Sequence, residues 1–245
     1  MSQFLLSIVI PAFNEELRLP STLDQIISFL SRQSYAAEVL IVENGSQDRT
    51  LEIAHSYAKR FPQLKVLQLA ERGKGRAVQY GMLQAGGEFC FMCDADLSMP
   101  VEDINRFIPP ELTDFDIAIA SREAQGAVRY HEPAFRHLVG RIFNTMIRVL
   151  ALPELNDTQC GFKCFRSSVA QDLFKQQTLS GWSFDVEVLF IARQRGYRIV
   201  EVPIHWYFNP DSKVRIFKDS LRMAIDLLTI RMNAARGIYT RDAIQ

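Results

Sequence analysis

Short apolar runs alternate with helix-like segments through the first half of the chain, and this alternation limits the folds that the sequence can adopt. Strands are predicted at five runs, with helices between the first four. The runs are SIVIPAF (Ser7–Phe13), EVLIVEN (Glu38–Asn44), KVLQLA (Lys65–Ala70), FCFMC (Phe89–Cys93) and DIAIAS (Asp116–Ser121). Because strands that alternate with helices form a mostly parallel sheet covered on both faces, the pattern predicts an α/β fold.

The segments between these strands carry start and stop signals of helices. The first helix is predicted over Ser21–Gln33, opened by Pro20 and a Ser/Thr cap. Ser46 is expected to cap the second helix. The third helix is predicted over Gly75–Gly86 and ends in glycines.

The second half of the chain changes character. A basic, apolar helix is predicted within residues 133–152, a further helix at SFDVEVLFIARQRG, a strand over Tyr197–Trp206 and a last amphipathic helix over residues 215–236. No linker, low-complexity tract or internal repeat separates the two halves. We therefore expect a single domain over residues 1–245, with halves at about 1–125 and 126–245.

The charge and hydropathy of the chain exclude several classes of protein. Lys and Arg together number 28, as do Asp and Glu, so the net charge gives no support for nucleic-acid binding. The apolar runs are far shorter than the roughly 20 residues of a membrane-spanning helix. The start of the chain, MSQFLLSIVIPAF, lacks the basic region of a signal peptide. We therefore expect a cytoplasmic protein without a transmembrane helix.

The four cysteines are predicted to be buried thiols. Cys90 and Cys93 have the spacing of a metal or redox motif, but both lie within one predicted strand. Because their numbers differ by three, they would point to opposite faces of the sheet. Buried cysteines that act as small apolar residues therefore explain Cys90, Cys93, Cys160 and Cys164 better than a metal site or a disulfide scaffold.

Polar residues follow three of the predicted strands, at the edge where ligands bind in parallel sheets. They are Asn14-Glu15, Glu43-Asn44 and the pair Asp94 and Asp96. Two carboxylates at a strand end can hold Mg²⁺ or Mn²⁺, with substrate phosphates completing the coordination shell. Taken alone, the Asp-x-Asp pattern is also typical of a solvated turn.

The order and spacing of eight motifs resemble those of the family 2 nucleotide-sugar glycosyltransferases, which have the Rossmann-like GT-A fold. The first four are IVIPAFNEE, IVENGSQDRT, GKGRAVQYGM and DADLSMP. The other four are SR at residues 121–122, DTQCGFKCF, WSFDVEVLFIA and EVPIHW. This second set resembles the dolichyl-phosphate glucosyltransferase branch and its bacterial relatives. The match extends over about residues 5–230.

The resemblance implies a set of residues that bind the nucleotide sugar. Glu43 would accept a hydrogen bond from the uracil imide, although Glu43-Asn44 replaces the usual Asp-Asp of the family. Lys74 would lie near the phosphates, and an exposed turn lysine is the alternative. The implied set is Pro11, Phe13, Glu15, Glu43, Gly45, Ser46, Lys74, Gly75 and Asp94.

The resemblance also implies the catalytic centre. Asp94 and Asp96 would hold the Mg²⁺ or Mn²⁺ that bridges the UDP phosphates. Ser98 occupies the position of a third ligand in some members of the family and is a poor ligand. If the acceptor is a hydroxyl, a carboxylate must take its proton, and Asp185 is the first candidate and Asp157 the second.

A lipid phosphate acceptor would need cations more than a base, because its oxygen is already anionic. The resemblance places Arg122, Arg136 and Lys213 at the acceptor phosphate, and solvated surface cations are the alternative for Arg136 and Lys213. The segment 133–152 and the last helix mix apolar residues with arginines, which is typical of peripheral membrane contact and also of an ordinary surface helix.

The leading interpretation is an inverting, metal-dependent enzyme that moves a hexose, expected to be glucose from UDP-glucose, to a polyprenyl or dolichyl phosphate. Residues 1–125 would bind the nucleotide sugar and residues 126–245 the acceptor. One alternative is a soluble or saccharide hydroxyl acceptor, and another is a non-catalytic nucleotide-sugar-binding protein. The sequence leaves the sugar, the choice between Mg²⁺ and Mn²⁺, and the oligomeric state open.

Overall fold

The computed structural model describes residues 3–209 and 216–240, with only the backbone of residues 216–221. Lys213 lies outside the described residues. In the first half, strands and crossover helices alternate as predicted, with boundaries shifted by a few residues. The elements are β1 (Phe4–Ala12), α1 (Leu19–Leu30), β2 (Ala37–Glu43), α2 (Thr50–Arg60), β3 (Leu64–Gln68), α3 (Lys74–Gln84), β4 (Gly87–Cys93), a 3₁₀ helix (Val101–Phe107) and β5 (Ile117–Ser121).

The second half contains the predicted helices and additional short elements. They are β6 (Val128–Tyr130), α4 (Ala134–Leu150), β7 (Phe162–Arg166), α5 (Ser167–Phe174), α6 (Phe184–Gln194), β8 (Ile199–Pro203), β9 (His205–Tyr207) and α7 (Ile216–Ala235). The single strand predicted over Tyr197–Trp206 is wrong, because the chain leaves the main sheet after Pro203. β8 stays in the main sheet, whereas β9 pairs with β6 in a separate two-stranded sheet.

The main sheet has seven strands in the order β3-β2-β1-β4-β7-β5-β8. All neighbours in it are parallel except β7, which runs antiparallel to both β4 and β5. Strands from both halves of the chain share this sheet, and helices cover its two faces. The predicted α/β fold with a mostly parallel sheet is therefore confirmed.

The two faces of the sheet carry separate apolar clusters. Cys90 packs on the face covered by α3, α5 and α6, whereas Cys93 packs on the face covered by α1 and the 3₁₀ helix. All four cysteines are buried and free. Burial raises the pKa of the Cys90 and Cys160 thiols to about 12. The prediction of opposite faces is confirmed, and these thiols stay protonated near neutral pH.

The predicted helix caps are wrong. α1 begins at Leu19, so Pro20 lies in its first turn as expected but no side chain caps the helix. α2 begins at Thr50, and Ser46 lies too far ahead of it to act as a cap. The Ser46 hydroxyl instead accepts a hydrogen bond from the Asn14 backbone N–H at 3.0 Å. Ser46 therefore ties the loop after β2 to the loop after β1.

The carboxyl ends of β2, β1 and β4 meet at one edge of the sheet, because these three strands are adjacent and parallel. The loop after β4 is fixed to α1 by Thr22, whose hydroxyl donates to the carbonyl oxygen of Ala95 at 2.7 Å. Topology thus places the polar residues that follow each strand beside one another.

Candidate active site

Two cavities open at this edge of the sheet and meet at the carboxylate pair. The larger has a volume of about 490 Å³ and the smaller about 260 Å³. Five residues line both cavities, namely Lys74, Asp94, Asp96, Trp182 and Met223. Ligands in the two cavities would therefore approach each other at Asp94 and Asp96.

The larger cavity is formed by the strand ends of the first half and closed by the second half. The predicted residues Pro11, Phe13 and Glu15 line it. Three arginines line it as well, and the guanidinium of Arg72 lies 4.9 Å from the Phe13 ring centroid. The other two arginines are Arg18 and Arg222. This cavity offers apolar walls, aromatic surface and positive charge.

The two aspartates have different neighbours. The Lys74 ammonium lies 2.7 Å from Oδ1 and 2.8 Å from Oδ2 of Asp94. Asp96 makes no ion pair with any residue that the structure describes, and its Oδ1 accepts a hydrogen bond from the Ser98 N–H at 3.2 Å. Burial, and then the neighbouring Asp94 carboxylate, raise the pKa of Asp96. The site is therefore short of positive charge at Asp96.

This shortage of positive charge fits a divalent cation. Mg²⁺ and Mn²⁺ prefer carboxylate oxygens and are often held by one or two carboxylates together with phosphates of a substrate. Within the described ranges, no group of three or more His, Cys, Asp or Glu side chains forms a metal site. Asp94 and Asp96 would therefore supply the protein ligands, and substrate or water the others.

Gly161 lies directly against the Asp94 carboxylate. A Cβ atom at this position would lie 1.9 Å from Oδ2 of Asp94, so only glycine leaves room for the carboxylate. Gly161 lies in the predicted DTQCGFKCF motif, but its role was not predicted. The segment before β7 therefore shapes the carboxylate pair that follows β4.

Lys74 is the first residue of α3 and stands between the two cavities. It follows Gly73, whose φ of +150° favours glycine. The Lys74 ammonium lies 5.2 Å from the Trp182 ring centroid. Burial opposes its charge, but the nearby carboxylates, of which Asp94 is the strongest, outweigh burial and raise the pKa of Lys74. Lys74 is therefore a partly buried lysine that is charged near neutral pH, and not an exposed turn lysine.

Gly75 does not line either cavity. A Cβ atom there would lie 2.7 Å from both the Leu179 carbonyl oxygen and the Phe184 Cβ. Its N–H donates to the Ser180 carbonyl oxygen at 3.0 Å. The close approach at Gly75 is therefore made by the loop before α6, and this loop carries Trp182 into the site.

The buried carboxylate of Glu187 holds the same loop in place. It accepts hydrogen bonds from the backbone N–H groups of Thr178 and Leu179, at 3.0 and 2.8 Å for Oε2. It also accepts one from the Tyr239 hydroxyl at 2.8 Å. The end of the described chain is thereby tied to the loop that carries Trp182.

Glu43, Gly45 and Ser46 lie beside the larger cavity without lining it. Glu43 is buried, and its Oε1 accepts a hydrogen bond from the Ser46 N–H at 2.5 Å. Gly45 has a φ of +82°, which favours glycine in this turn. These residues shape the turn after β2.

Asn44 lines the larger cavity and was not predicted to bind the nucleotide. The residue is only 4% exposed, and its Oδ1 has no hydrogen-bond partner among the described residues. A buried oxygen without a partner is costly unless a ligand supplies the donor. Asn44 therefore places an unused acceptor at the wall of the larger cavity, whereas Glu43 already accepts a hydrogen bond from the Ser46 N–H.

Arg122 and Asp157 face each other in the smaller cavity. Arg122 Nε donates to Asp157 Oδ2 at 2.7 Å, and Nη2 donates to Oδ1 at 2.9 Å. Burial opposes ionisation of Asp157, but Arg122 outweighs it and lowers the pKa of Asp157 to about 2. Because Asp157 is so weakly basic and already holds Arg122, it is a poor candidate for a general base.

Arg136 also lines the smaller cavity, as predicted for an acceptor-binding residue. Its guanidinium lies 5.0 Å from the Phe208 ring centroid. Arg129 lines the cavity too and is paired with Glu123 and Glu132 at 2.5 and 2.7 Å. The smaller cavity therefore combines aromatic walls with arginines, and two of these, Arg122 and Arg129, are paired with carboxylates.

Asp185 lines the smaller cavity and is buried. The ammonium of Lys163, which is 1% exposed, lies 3.2 Å from its Oδ1. Burial raises the pKa of Asp185, although the ammonium groups of Lys163 and Lys74 oppose this shift. Lys163 was not predicted, although a lysine inside the apolar run GFKCF was a visible signal. The structure thus brings Asp185 close to the Asp94 and Lys74 pair.

Residues 7–174 match the family model described as glycosyl transferase family 2. The match covers more than half of the 245 residues and includes the strand ends that form the larger cavity. The chain belongs to glycosyltransferase family 2. It is therefore an enzyme of the glycosyltransferase class, and the interpretation as a non-catalytic binding protein is not supported.

This glycosyltransferase is similar to several dolichyl-phosphate beta-glucosyltransferases. It is 34% identical to that of Dictyostelium discoideum, with 96% of this chain and 76% of that protein covered. It is 32% identical to the Homo sapiens protein, with 96% and 77% covered, and 31% identical to the Saccharomyces cerevisiae protein, with 97% and 77% covered. The predicted resemblance to the dolichyl-phosphate glucosyltransferase branch is confirmed.

The fold of the glycosyltransferase also matches solved structures. Glucosyl-3-phosphoglycerate synthase from Mycobacterium tuberculosis, in complex with UDP, aligns with a TM-score of 0.67 at 18% identity, covering 98% of this chain and 82% of that one. The same enzyme with Mn²⁺, UDP-glucose and glycerol 3-phosphate aligns with a TM-score of 0.65. These alignments confirm the GT-A fold.

Within its described residues, the glycosyltransferase has no helix that is both long enough and apolar enough to cross a bilayer.

Proposed function

We propose that this glycosyltransferase moves glucose, with inversion, from UDP-glucose to a polyprenyl or dolichyl phosphate, with Mg²⁺ or Mn²⁺ as cofactor. The observation that carries the proposal is the meeting of two cavities at Asp94 and Asp96. One cavity suits a nucleotide sugar, and the other suits an anionic acceptor. The proposed acceptor is supported by the relatives, which are named dolichyl-phosphate beta-glucosyltransferases.

The larger cavity takes the nucleotide sugar. Pro11, Phe13 and Glu15 line the part that would hold the nucleoside, and Asn44 offers an oxygen to the imide N–H of uracil. Lys74 provides charge for the diphosphate. Glu43, Gly45 and Ser46 act by fixing the turn after β2. Gly75 acts by packing α3 on the loop before α6.

Asp94 and Asp96 hold the metal ion in this proposal. A divalent cation at this place neutralises charge on the leaving diphosphate. The uncompensated Asp96 supports this role, because it lacks a cationic partner within the described part of the chain. A protein of the same fold was crystallised with Mn²⁺ and UDP-glucose, which agrees with it.

The smaller cavity takes the acceptor phosphate. Arg136 lines it, and Arg122 supplies charge while its guanidinium is held in place by Asp157. Lys213 completes the proposed set but lies outside the described residues. Because a phosphate monoester oxygen is already anionic, the attack on the sugar needs orientation and charge compensation more than a base. The cations of the smaller cavity would provide both.

A hydroxyl acceptor is the second candidate, and Asp185 favours it. This carboxylate is buried in the smaller cavity with a raised pKa, which suits a general base. Its pairing with Lys163 at 3.2 Å favours a charged, structural carboxylate instead. The names of the relatives support the lipid phosphate as the acceptor.

A peripheral contact with the membrane would bring the protein to such an acceptor. Eight of the thirteen exposed large apolar residues in the described structure lie on α4 and α7, which pack against each other. On α4, Phe135, Leu138, Ile142 and Val149 have the spacing i, i+3, i+7 and i+14, so they form one stripe. A stripe of this kind suits the interface of a bilayer.

The charges of these helices agree with a negatively charged membrane surface. α4 contains no acidic residue, and its basic residues include Arg141 and Arg148. On α7, Ile225, Leu228 and Met232 form a second exposed apolar stripe. Basic residues beside exposed apolar ones favour anionic lipid. Phe143 of α4 lines the smaller cavity, so an acceptor in the membrane would have a short path to the site.

The proposal is tested by incubating the purified chain with Mg²⁺, labelled UDP-glucose and a polyprenyl phosphate, followed by extraction with organic solvent. Label in the organic phase that disappears with EDTA or with Asp96→Ala is expected. Label that remains aqueous while UDP is released would point to a soluble acceptor. If no UDP is released, the donor assignment is wrong.

A further inference from the structure

The carboxylate of Asp94 is already neutralised by the protein itself. Both of its oxygens lie within 2.8 Å of the Lys74 ammonium. Gly161 also packs so closely against this carboxylate that no side chain fits at position 161. The contacts with Lys74 and Gly161 therefore restrict the orientation of the Asp94 carboxylate.

A divalent ion bound by both aspartates would have to share Asp94 with this ammonium. The two cations would repel each other strongly at the short distances involved, because the surroundings are largely buried. Asp96 alone is a weak ligand set, since a divalent ion needs further oxygen atoms to replace its water. The geometry thus opposes tight metal binding while Lys74 stays on Asp94.

The position of Lys74 allows it to move to a second partner. It lines the larger cavity as well as the smaller one, and its long side chain begins at the first residue of α3. A diphosphate in the larger cavity would place several anionic oxygens within reach of that side chain. Such a ligand competes with Asp94 for the ammonium.

We infer that the Lys74 ammonium pairs with Asp94 in the absence of nucleotide and moves to the diphosphate when a nucleoside diphosphate binds. Divalent metal therefore binds well only together with the nucleotide. Lys74 is in this view a positioning residue that sets the order of binding. The inference rests on the proposed metal role of Asp94 and Asp96.

The test measures Mn²⁺ binding by electron paramagnetic resonance, with no sugar donor or acceptor present. The wild type is expected to bind Mn²⁺ weakly alone and at least about tenfold more tightly with saturating UDP. Lys74→Met is expected to bind Mn²⁺ alone at least about tenfold more tightly than the wild type. UDP should then improve Mn²⁺ binding by a smaller factor in this variant.

Three further variants keep the test decisive. Lys65→Met removes a lysine that pairs with Glu38 at 2.9 Å away from both cavities, and it should leave Mn²⁺ affinity unchanged. Asp96→Asn should abolish the added affinity of Lys74→Met, which excludes binding elsewhere. Lys74→Gln should behave like Lys74→Met and replaces it if Lys74→Met does not fold, as judged by circular dichroism.

The inference is overturned if folded Lys74→Met and Lys74→Gln bind Mn²⁺ alone no better than the wild type. Its failure is separate from that of the proposed function. Metal binding that depends on UDP, without transfer of glucose to a lipid phosphate, would uphold the inference and contradict the proposed function. Transfer of glucose to a lipid phosphate, together with unchanged Mn²⁺ binding in the Lys74 variants, would contradict the inference and uphold the proposed function.

Discussion

Arg122 donates two side-chain hydrogen bonds to Asp157, and its backbone N–H donates a third to Asp157 Oδ2 at 2.9 Å. The N–H groups of Asn156 and Asp157 in turn donate to Glu201 of β8 at 3.0 and 2.9 Å. The segment before β7 is thereby attached to the end of β5 and to the middle of β8. This attachment places Gly161 against Asp94.

The ion pair between Arg122 and Asp157 predicts that the protein loses stability in acid. The pKa of Asp157 falls from 3.8 to about 2 on folding, so its contribution is present above pH 3.8 and is lost as the pH falls through about 2. The contribution is about 2 kcal/mol. Urea unfolding of the wild type and Asp157→Asn, between about pH 5 and pH 2.5, should show a steeper loss in the wild type. If the free energy of unfolding falls equally with pH in both proteins, the lowered pKa of Asp157 is contradicted.

Gly161→Ala is expected to damage the site more than the fold. The added methyl would displace the Asp94 carboxylate, since it would lie 1.9 Å from Oδ2. We expect the affinity for Mn²⁺ with UDP, measured by calorimetry, to fall about tenfold or more. Gly140→Ala is the matched control, because nothing lies within 4 Å of a Cβ atom there. Equal affinities of the two variants would show that Asp94 tolerates the methyl.

Asp185→Asn separates the two acceptor classes. Transfer to a lipid phosphate needs no base, so its rate should fall less than about tenfold, whereas transfer to a hydroxyl should fall about 10²- to 10⁴-fold. The variant also weakens the pair with Lys163, so UDP binding and thermal unfolding must be measured alongside. Abolished lipid transfer in a folded variant that still binds UDP would contradict the mechanism without a base.

Asn44→Ala is expected to weaken binding of the base and to leave binding of the phosphates unchanged. The variant removes the buried Oδ1 that has no partner among the described residues. UDP affinity should fall roughly tenfold, and pyrophosphate affinity should not change. Glu43→Gln serves as a comparison, because Glu43 bonds to the Ser46 N–H and does not line the cavity. Loss of pyrophosphate binding in Asn44→Ala would mean that the residue only supports the fold.

The exposed stripe of α4 is expected to bind anionic vesicles. Co-sedimentation with phosphatidylcholine–phosphatidylglycerol vesicles should exceed that with phosphatidylcholine alone and should weaken with salt. The combined change Leu138→Ser, Ile142→Ser and Val149→Ser should lower binding on the order of tenfold or more.

The matched control for this stripe changes the same number of exposed apolar residues elsewhere. Leu17→Ser, Tyr80→Ser and Val128→Ser remove side chains that lie on neither α4 nor α7, and vesicle binding should persist. Unchanged vesicle binding of the α4 variant would contradict the membrane contact. A wild-type dimer in analytical ultracentrifugation that the α4 variant dissolves would assign the stripe to self-association instead.

The position of the site could be predicted because parallel strands bring their carboxyl ends together. Asp94 and Asp96 follow a strand that is recognisable from its continuous apolar run, and Pro11 and Glu15 lie at the end of a neighbouring strand. The order of these strands in the sheet then fixes the edge at which the cavity forms. The position of the site can therefore be predicted from the strand order, without knowledge of side-chain contacts.

Which side chain faces the cavity could not be predicted at the end of β2. Glu43 and Asn44 are consecutive and point in opposite directions, so a shift of one residue in the register of the strand would exchange them. β7 was missed because the five residues of FKCFR are a short signal, and the pairing of this strand with β4 and β5 depends on distant parts of the chain. Ser46 was assigned to a cap because its long-range bond to Asn14 is invisible in a local pattern.

The place of β7 between β4 and β5 has a consequence for how the molecule is made. β4 ends at Cys93 and β5 begins at Ile117, yet the strand that joins them lies at Phe162–Arg166. On the ribosome, the first four strands can assemble while β4 still presents an unpaired edge. Gly161 reaches Asp94 only when β7 enters that gap, so a nascent chain completes its carboxylate site only after residue 166 has been made.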